Sequence, residues 1–225
     1  MSTKKETIQY SDDGPWPIRP GFFGADSSNI KVYKNFIDEE DLKKIQDFCP
    51  TISEWDNSEP SVFAEDGTCL YNAEYWSNRQ CSSPILKKLN VEVWEIIDKY
   101  VDKMARQIEA DYGLLVEKRS PVIMRWVAGN EQQPHADKQL NTGEPNAFIN
   151  YDINSLFYYN NDFVGGELYY PQYDIKITPE PGLAVVHPGD INYLHGVTRV
   201  ESGERFTTPS FYTVKEITEK EKYEL

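Results

Sequence analysis

Apolar positions along this chain change their period near residue 115. Before it, Leu86, Leu89, Val93, Ile97, Tyr100, Met104 and Ile108 recur at steps of three and four. That spacing puts one apolar stripe on a helix. Ser83 and Pro84 supply a cap and a first turn, and Gly113 a stop, so the pattern predicts a helix over 84–112. A shorter stripe, Leu42, Ile45 and Cys49, predicts a helix over 38–49 that follows a short strand. Asp38 is its expected cap and Asp41 sits favourably in its first turn. Both stripes read as packing surfaces, not as cofactor-binding segments.

From 115 onward short apolar or aromatic runs alternate with turn formers: PVIMRWV, AFINYDI, SLFYYNN, GELYYP, DIKIT, LAVVHP and TPSFYTV. Gly165, Gly166 and the PEPG of 179–182 break the runs. Seven or eight short strands without intervening helices predict a mainly β fold, an antiparallel barrel or sandwich with the helices flanking it outside. Residues 1–30 read as an N-terminal arm rich in Pro and Gly, pinned by Trp16, Phe22 and Phe23. Residues 31–214 read as one domain and 215–225 as a charged tail. Residues 51–81 lack a period, and an irregular segment of that length tends to be functional. With the loop 138–147 it is expected to flank a substrate mouth, with Trp55, Phe63, Tyr71 and Trp76 on it.

Charge narrows the function classes. Lys plus Arg number 23 and Asp plus Glu 37, a net charge of −14. Such a balance argues against nucleic acid or an anionic membrane surface as partner, while a basic pocket for a small anion stays allowed. The three cysteines, Cys49, Cys69 and Cys81, match no thiolate metal site. Their odd number fits a reducing compartment, and with no apolar leader or membrane-length run the expectation is a soluble, cytoplasmic protein.

The candidate chemistry lies in QQPHADKQL, residues 132–140. His135 and Asp137, two apart on a strand, would project to one side. An imidazole and a carboxylate so placed can grip one metal ion, and a second histidine would complete a facial set that leaves coordination positions open. His187 and His195 are the other two histidines of the chain, and spacing alone leaves the choice between them open. A bare H-x-D is also common in proteins that bind no metal. Arg205 and Thr207 share a strand face and form a receptor for a carboxylate; the bland alternative is a surface arginine paired with Glu201 or Glu204.

Taken together, RWVAGNEQQPHADKQ, SLFYYNNDFVGGELYYP and GLAVVHPGDINYLHGVTRVESGERFTTPSF resemble the iron(II)- and 2-oxoglutarate-dependent dioxygenases, in particular the prolyl 4-hydroxylase-like group. Gly129 stands six residues before His135 as in those enzymes, and VYKNFIDEEDLKKI resembles their start, so the similarity spans about 31–214. The resemblance implies a double-stranded β-helix, or jelly-roll barrel, with outer helices. It assigns His135, Asp137 and His195 to iron and leaves His187 outside the set. It gives Arg205, Thr207 and Tyr158 to the distal carboxylate of 2-oxoglutarate. It implies O2 as oxidant, ascorbate as a further reductant, succinate and carbon dioxide as products, and hydroxylation of an unactivated C–H bond, most readily that of a peptidyl proline. A small molecule or another side chain of a protein is the alternative substrate. A metal hydrolase on the same scaffold and a catalytically silent metal-binding interaction protein are the readings of other classes. Two positions depart from the group: Arg205 stands where collagen-type enzymes carry lysine, and Trp126 where they carry tyrosine.

Overall fold

The computed structural model describes residues 16–56 and 60–219. Residues 1–15 of the expected arm, 57–59 of the irregular segment and 220–225 of the expected tail lie outside the described residues. In chain order the elements are β1 (Lys31–Tyr33), α1 (Glu39–Phe48), β2 (Val62–Phe63), β3 (Cys69–Tyr71), α2 (Ala73–Trp76) and β4 (Gln80–Cys81). Two helices follow, α3 (Ser83–Leu89) and α4 (Val91–Tyr112). Next come β5 (Leu114–Lys118), β6 (Ile123–Val127), β7 (Gln132–His135), β8 (Ile153–Tyr158), β9 (Val164–Gly165) and β10 (Leu168–Tyr170). The last strands are β11 (Ile175–Ile177), β12 (Ala184–Pro188), β13 (His195–Val197), β14 (Val200–Ser202) and β15 (Glu204–Ile217).

One helix was expected over 84–112; two are present. Asn90 is extended, with φ −156° and ψ 98°, and its side chain accepts from the Val93 amide. It ends α3 and caps α4, because Asn competes for the backbone hydrogen bonds of a helix and favours its entrance. Gly113 closes α4 in the left-handed region at φ 68°, as the sequence suggests. AFINYDI, expected as a strand, is mostly turn; only its last residue, Ile153, enters β8.

The strands form a seven-stranded sheet in the order β1–β12–β8–β15–β6–β4, with β5 paired to the far half of β15. A four-stranded sheet runs β11–β10–β13–β7, and β9–β14 and β2–β3 form two small ribbons. All these pairs are antiparallel. The expected double-stranded β-helix or jelly-roll barrel is therefore corrected: among the described residues no sheet closes on itself, and the fold is a mixed α/β arrangement of several separate sheets. The chain passes from one sheet to the other through a break in the strands. Pro188, which has no N–H, ends β12 in the large sheet. Asp190 then caps a short 3-10 turn, Ile191–Tyr193, before β13 begins in the small sheet. The register of β13 against β7 also shifts between His195 and Val197. The edge strands, β1 and β4 of the large sheet and β11 and β7 of the small one, pair with no further strand among the described residues, so neither ladder continues round.

Period-two alternation builds the layers. Phe157 of β8, Ala184 and Val186 of β12, and Phe206, Tyr212 and Val214 of β15 share the main core with Ile97, Tyr100, Met104 and Ile108 of α4. Their sequence neighbours Tyr158 and Val185 pack instead with Leu168 and Tyr170 of β10. The large sheet is thus covered by helices on one face and by the small sheet on the other. Among the described residues no helix is long and apolar enough to cross a membrane.

A buried ion pair ties the layers together. Lys138 and Asp152 are both about 1% exposed, and the Lys138 ammonium donates to the Asp152 carboxylate and to the Ile18 carbonyl. The other Asp152 oxygen accepts from the Val214 amide at 2.8 Å. Burial pushes the Lys138 pKa down and the Asp152 pKa up, and each partner's charge opposes the shift of the other. Removing one partner strands the second charge without water, so K138A should destabilise the protein by about 3–5 kcal/mol. K138M/D152N, which leaves no lone charge, should recover most of that loss. Urea denaturation midpoints at pH 7 measure both; equal midpoints for wild type and K138A would show that the pair does not act this way.

Candidate metal and dicarboxylate site

Three chain segments bring the candidate ligands together between the two sheets. His135 ends β7 and lies directly opposite His195, the first residue of β13. Asp137 is not on a strand with His135, as expected, but just beyond its end. There its amide and that of Lys138 donate to the Gly189 carbonyl at 3.0 and 3.1 Å. The Gly189 amide donates in turn to the Asp152 carbonyl at 2.9 Å. Gly189 is needed for this approach, because a Cβ there would stand 2.0 Å from the Tyr151 carbonyl oxygen. The Asn154 side-chain amide donates to one oxygen of Asp137.

Ligand atoms of His135, Asp137 and His195 all lie within 4.8 Å of one another. His135 Nε2 is 3.7 Å from Asp137 Oδ1, and His195 Nε2 is 3.4 Å from Asp137 Oδ2. Donors bonded to one ion at ~2.1 Å and roughly right angles stand about 3 Å apart, so small adjustments suffice to close on a metal. The outer ring nitrogens are anchored: His135 Nδ1 lies 3.1 Å from the Gln133 carbonyl and His195 Nδ1 3.1 Å from the Tyr193 carbonyl. A carbonyl only accepts, so each Nδ1 carries the proton and each Nε2 keeps a lone pair for the site. The Gln132 amide nitrogen, 3.1 Å from His135 Nε2, marks that lone pair as an acceptor.

Electrostatics favours neutral imidazoles. Burial holds both His135 and His195 down at about 4, with the nearby His195 adding to the shift at His135 and Asp137 opposing it. The His135 side chain is 28% accessible, but it sits on the wall of a deep cavity, where surrounding protein still disfavours the charged ring. Burial pushes Asp137 up to about 6, against the lowering influence of His135 and the Asn154 hydrogen bond. Two neutral imidazoles and one carboxylate this close together, with no cation among them, fit a metal ion.

His187, the histidine that spacing left open, is on β12 and buried. Its ring centre lies 4.3 Å from that of His195, and its Nδ1 is 3.0 Å from the Pro188 carbonyl. It borders the donor cluster without joining it.

Arg205 and Thr207 alternate with Phe206 along β15, so they face away from the helices. Arg205 is 0% exposed, in a chain whose other cations are mostly at the surface. Its Nη1 donates a long bond to Thr207 Oγ1, at 3.4 Å, while Nε and Nη2 have no partner among the described residues. The Tyr158 hydroxyl, on the strand register opposite Thr207, is also without one. Tyr158 and the guanidinium attract each other electrostatically without a well-formed hydrogen bond, so both keep donors to offer. The rings of Tyr158 and Trp126 flank the guanidinium, 5.1 and 5.3 Å from its carbon. Gly166 makes the room: it has φ 69°, and a Cβ there would come 2.9 Å from Arg205 Cδ. A fully buried cation with unmet donors is rare and costly unless an anion is meant to meet it. The donor set therefore fits a carboxylate.

His135, Asp137, His195, His187, Arg205 and Thr207 all line one cavity of about 1330 Å³. Tyr71 and Trp76 of the irregular segment, and Gln139, Leu140, Asn141 and Asn146 of the 138–147 loop, line it too. Trp55 instead stacks on Phe206 at 6.1 Å, and Phe63 is exposed. Sequence reading did not find Asn154 or Gly189, whose roles depend on contacts with Asp137 across 17 and 52 positions of chain.

No family model matches the chain, and no curated protein matches its sequence. Solved structures do. The viral collagen prolyl hydroxylase of Paramecium bursaria Chlorella virus-1, solved as a 2OG complex, is similar at a TM-score of 0.55 and 15% identity, over 86% of this chain and 99% of that one. A prolyl hydroxylase of Trichoplax adhaerens, in complex with a hypoxia inducible factor oxygen degradation domain peptide fragment, gives 0.56 and 13%, over 90% and 88%. A Pseudomonas putida prolyl-4-hydroxylase gives 0.52 and 14%, over 83% and 93%. At these identities the likeness is one of fold: the chain has a fold like that of the prolyl hydroxylases, with a His-Asp-His cluster inside it.

Proposed function

We propose that this protein is an iron(II)- and 2-oxoglutarate-dependent oxygenase that hydroxylates an unactivated C–H bond, with a peptidyl proline as the favoured acceptor. The observation that carries the reading is the conjunction of two features in one cavity. The His135, Asp137 and His195 donors converge, and a fully buried Arg205 with unmet donors lies on the same wall. A metal hydrolase requires only the first.

His135 and His195 would hold iron through Nε2 and Asp137 through its carboxylate, with the remaining coordination positions open to ligands. Iron and 2-oxoglutarate, when bound, supply oxygen activation coupled to oxidative decarboxylation to succinate and carbon dioxide. The chain's own residues do the positioning. Asn154 fixes the rotamer of Asp137, and the Gln133 and Tyr193 carbonyls fix the tautomers of the two histidines. Arg205, Thr207 and Tyr158 would receive the distal carboxylate, the guanidinium fork matching its two oxygens. Trp126 and Tyr158 shield that pairing from water, which strengthens it. His187 is left as part of the wall beside His195.

The test is oxygen-dependent conversion of 2-oxoglutarate to succinate in the presence of iron(II), run with proline peptides and with free amino acids. A peptide product heavier by one oxygen is expected. Hydroxylation of small molecules alone would exclude the peptide assignment, and absence of succinate under every condition would exclude the oxygenase. D137A should abolish turnover and weaken Mn(II) binding, measured by calorimetry, by at least about 100-fold, because the site loses its one anionic ligand. R205A should leave Mn(II) binding within about threefold of wild type and raise the 2-oxoglutarate requirement on the order of 100-fold, the equivalent of ~3 kcal/mol. An unchanged requirement in R205A would remove Arg205 from the cosubstrate.

A further inference from the structure

We propose that the outer part of the cavity is a docking groove for an acidic polypeptide segment, an assignment that rests on the oxygenase reading and gives it a substrate class. The cavity, at about 1330 Å³, exceeds the ~300–1,000 Å³ of a small-ligand pocket. A diacid held at Arg205 would leave most of it to another occupant.

Charge identifies that occupant. The sequence has 37 acidic residues, yet among the described residues the only carboxylate on the cavity wall is Asp137, at the candidate metal centre. Beyond the Arg205 and histidine region the wall carries two cations, Lys87 on α3 and Arg119 just after β5. Their sequence neighbours, which do not line the cavity, are ion-paired. Lys88 pairs with Glu54 at 3.0 Å, and Lys118 pairs with Asp98 at 2.7 Å and Asp102 at 3.0 Å. Lys87 and Arg119 form no salt bridge among the described residues, and Arg119 acts on the Glu117 carboxylate only at longer range. In both adjacent pairs the cation that lines the groove is the one without a salt bridge.

Both unpaired cations are mounted on aromatic rings. The Lys87 ammonium lies 4.5 Å from the Trp94 ring centre, and Trp94 is fixed by an indole bond to Ser83 Oγ at 2.7 Å. The Arg119 guanidinium lies 5.8 Å from the Tyr151 ring centre, and its backbone amide donates to the Phe211 carbonyl at 2.9 Å. Tyr151 stacks on Phe211 at 4.0 Å and on Phe148 at 4.8 Å. The result is an aromatic wall tipped with positive charge, which receives an apolar or ring-bearing residue flanked by carboxylates. The net charge of the chain, −14, would favour basic peptides by long-range attraction, so a preference for acidic ones has to come from this local feature.

The experiment uses the full chain with iron(II) and 2-oxoglutarate under argon, where no turnover occurs. Fluorescein-labelled peptides of equal length, each with a central proline and flanked by Asp/Glu, Ser/Gln or Lys/Arg, are titrated by anisotropy. The acidic peptide should bind about fivefold or more tighter than the neutral one, the scale expected of two partly exposed ion pairs. K87Q/R119Q should erase that preference while leaving the neutral peptide's affinity unchanged, and K87E/R119E should turn it towards the basic peptide. Both positions are exposed, so the variants are expected to fold, and thermal melts check this. Equal binding of acidic and neutral peptides by wild type, or a preference that survives K87Q/R119Q, would overturn the groove. A single-stranded oligonucleotide bound as tightly as the acidic peptide would overturn the polypeptide assignment. The readout needs no turnover, so a charge preference present in a chain that makes no succinate supports the groove while counting against the oxygenase.

Discussion

The pairing of Lys138 with Asp152 joins four parts of the molecule that are far apart in sequence. Lys138 follows Asp137, so its burial sets where the candidate carboxylate ligand emerges. Its ammonium also holds the Ile18 carbonyl of the N-terminal segment. Asp152 immediately precedes β8 and, through Val214, grips the long strand β15. Its carbonyl receives the amide of Gly189, whose own carbonyl receives the amides of Asp137 and Lys138. A buried pair of this kind contributes little net stability compared with an apolar pair of the same shape. Its value lies in direction: charges without water accept only one geometry, so the loop carrying Asp137 has one place to sit.

From that constraint the inner site follows by alternation. The large sheet shows its odd and even side chains to different layers, so Phe206 enters the helix-covered core while Arg205 and Thr207 enter the space between sheets. Placing a guanidinium there is unfavourable on its own. Burial lowers the Arg205 pKa, and the flanking rings offset the lost hydration only in part. The unmet donors on Arg205 and Tyr158 are what the proposed carboxylate would compensate. The same logic, weakened by solvent, applies to Lys87 and Arg119 at the outer end of the cavity.

Periodicity exposed the helix stripes, most strand runs and the shared face of Arg205 and Thr207, because each is a local property of the backbone. Spacing brought His135 and Asp137 under suspicion, although the reason offered was incomplete: Asp137 lies beyond the strand and is aimed by Gly189 and Asn154, not by pleat alone. Neither of those two residues carries a local signal, since each acts through a segment distant in sequence. Spacing did not separate His187 from His195. Both follow apolar runs, and only the register of β13 against β7 brings one of them to face His135. The break at Asn90 was missed because an Asn inside an otherwise periodic stretch reads as a tolerated residue until its capping bond is seen. The closed barrel was expected because strand runs and turns reveal how many strands there are, not where their hydrogen-bond ladders stop.

That last point bears on how the site is held. The candidate metal ligands His135 and His195 belong to the small sheet, whereas Arg205, Thr207 and Tyr158 belong to the large one. No continuous hydrogen-bond ladder fixes one set against the other among the described residues. The spacing of the two candidate sets is then set by links that cross the gap, among them the turn from Pro188 to Leu194, the Asp137–Asn154 bond, and the packing of Tyr158 against Leu168 and Tyr170. Such links can shift by fractions of an ångström without breaking a sheet. Each half of the site has its own internal hydrogen-bond geometry. This division places the demand for precision on a few buried contacts, of which the Asn154 amide on Asp137 is the one that touches both sheets' chemistry directly.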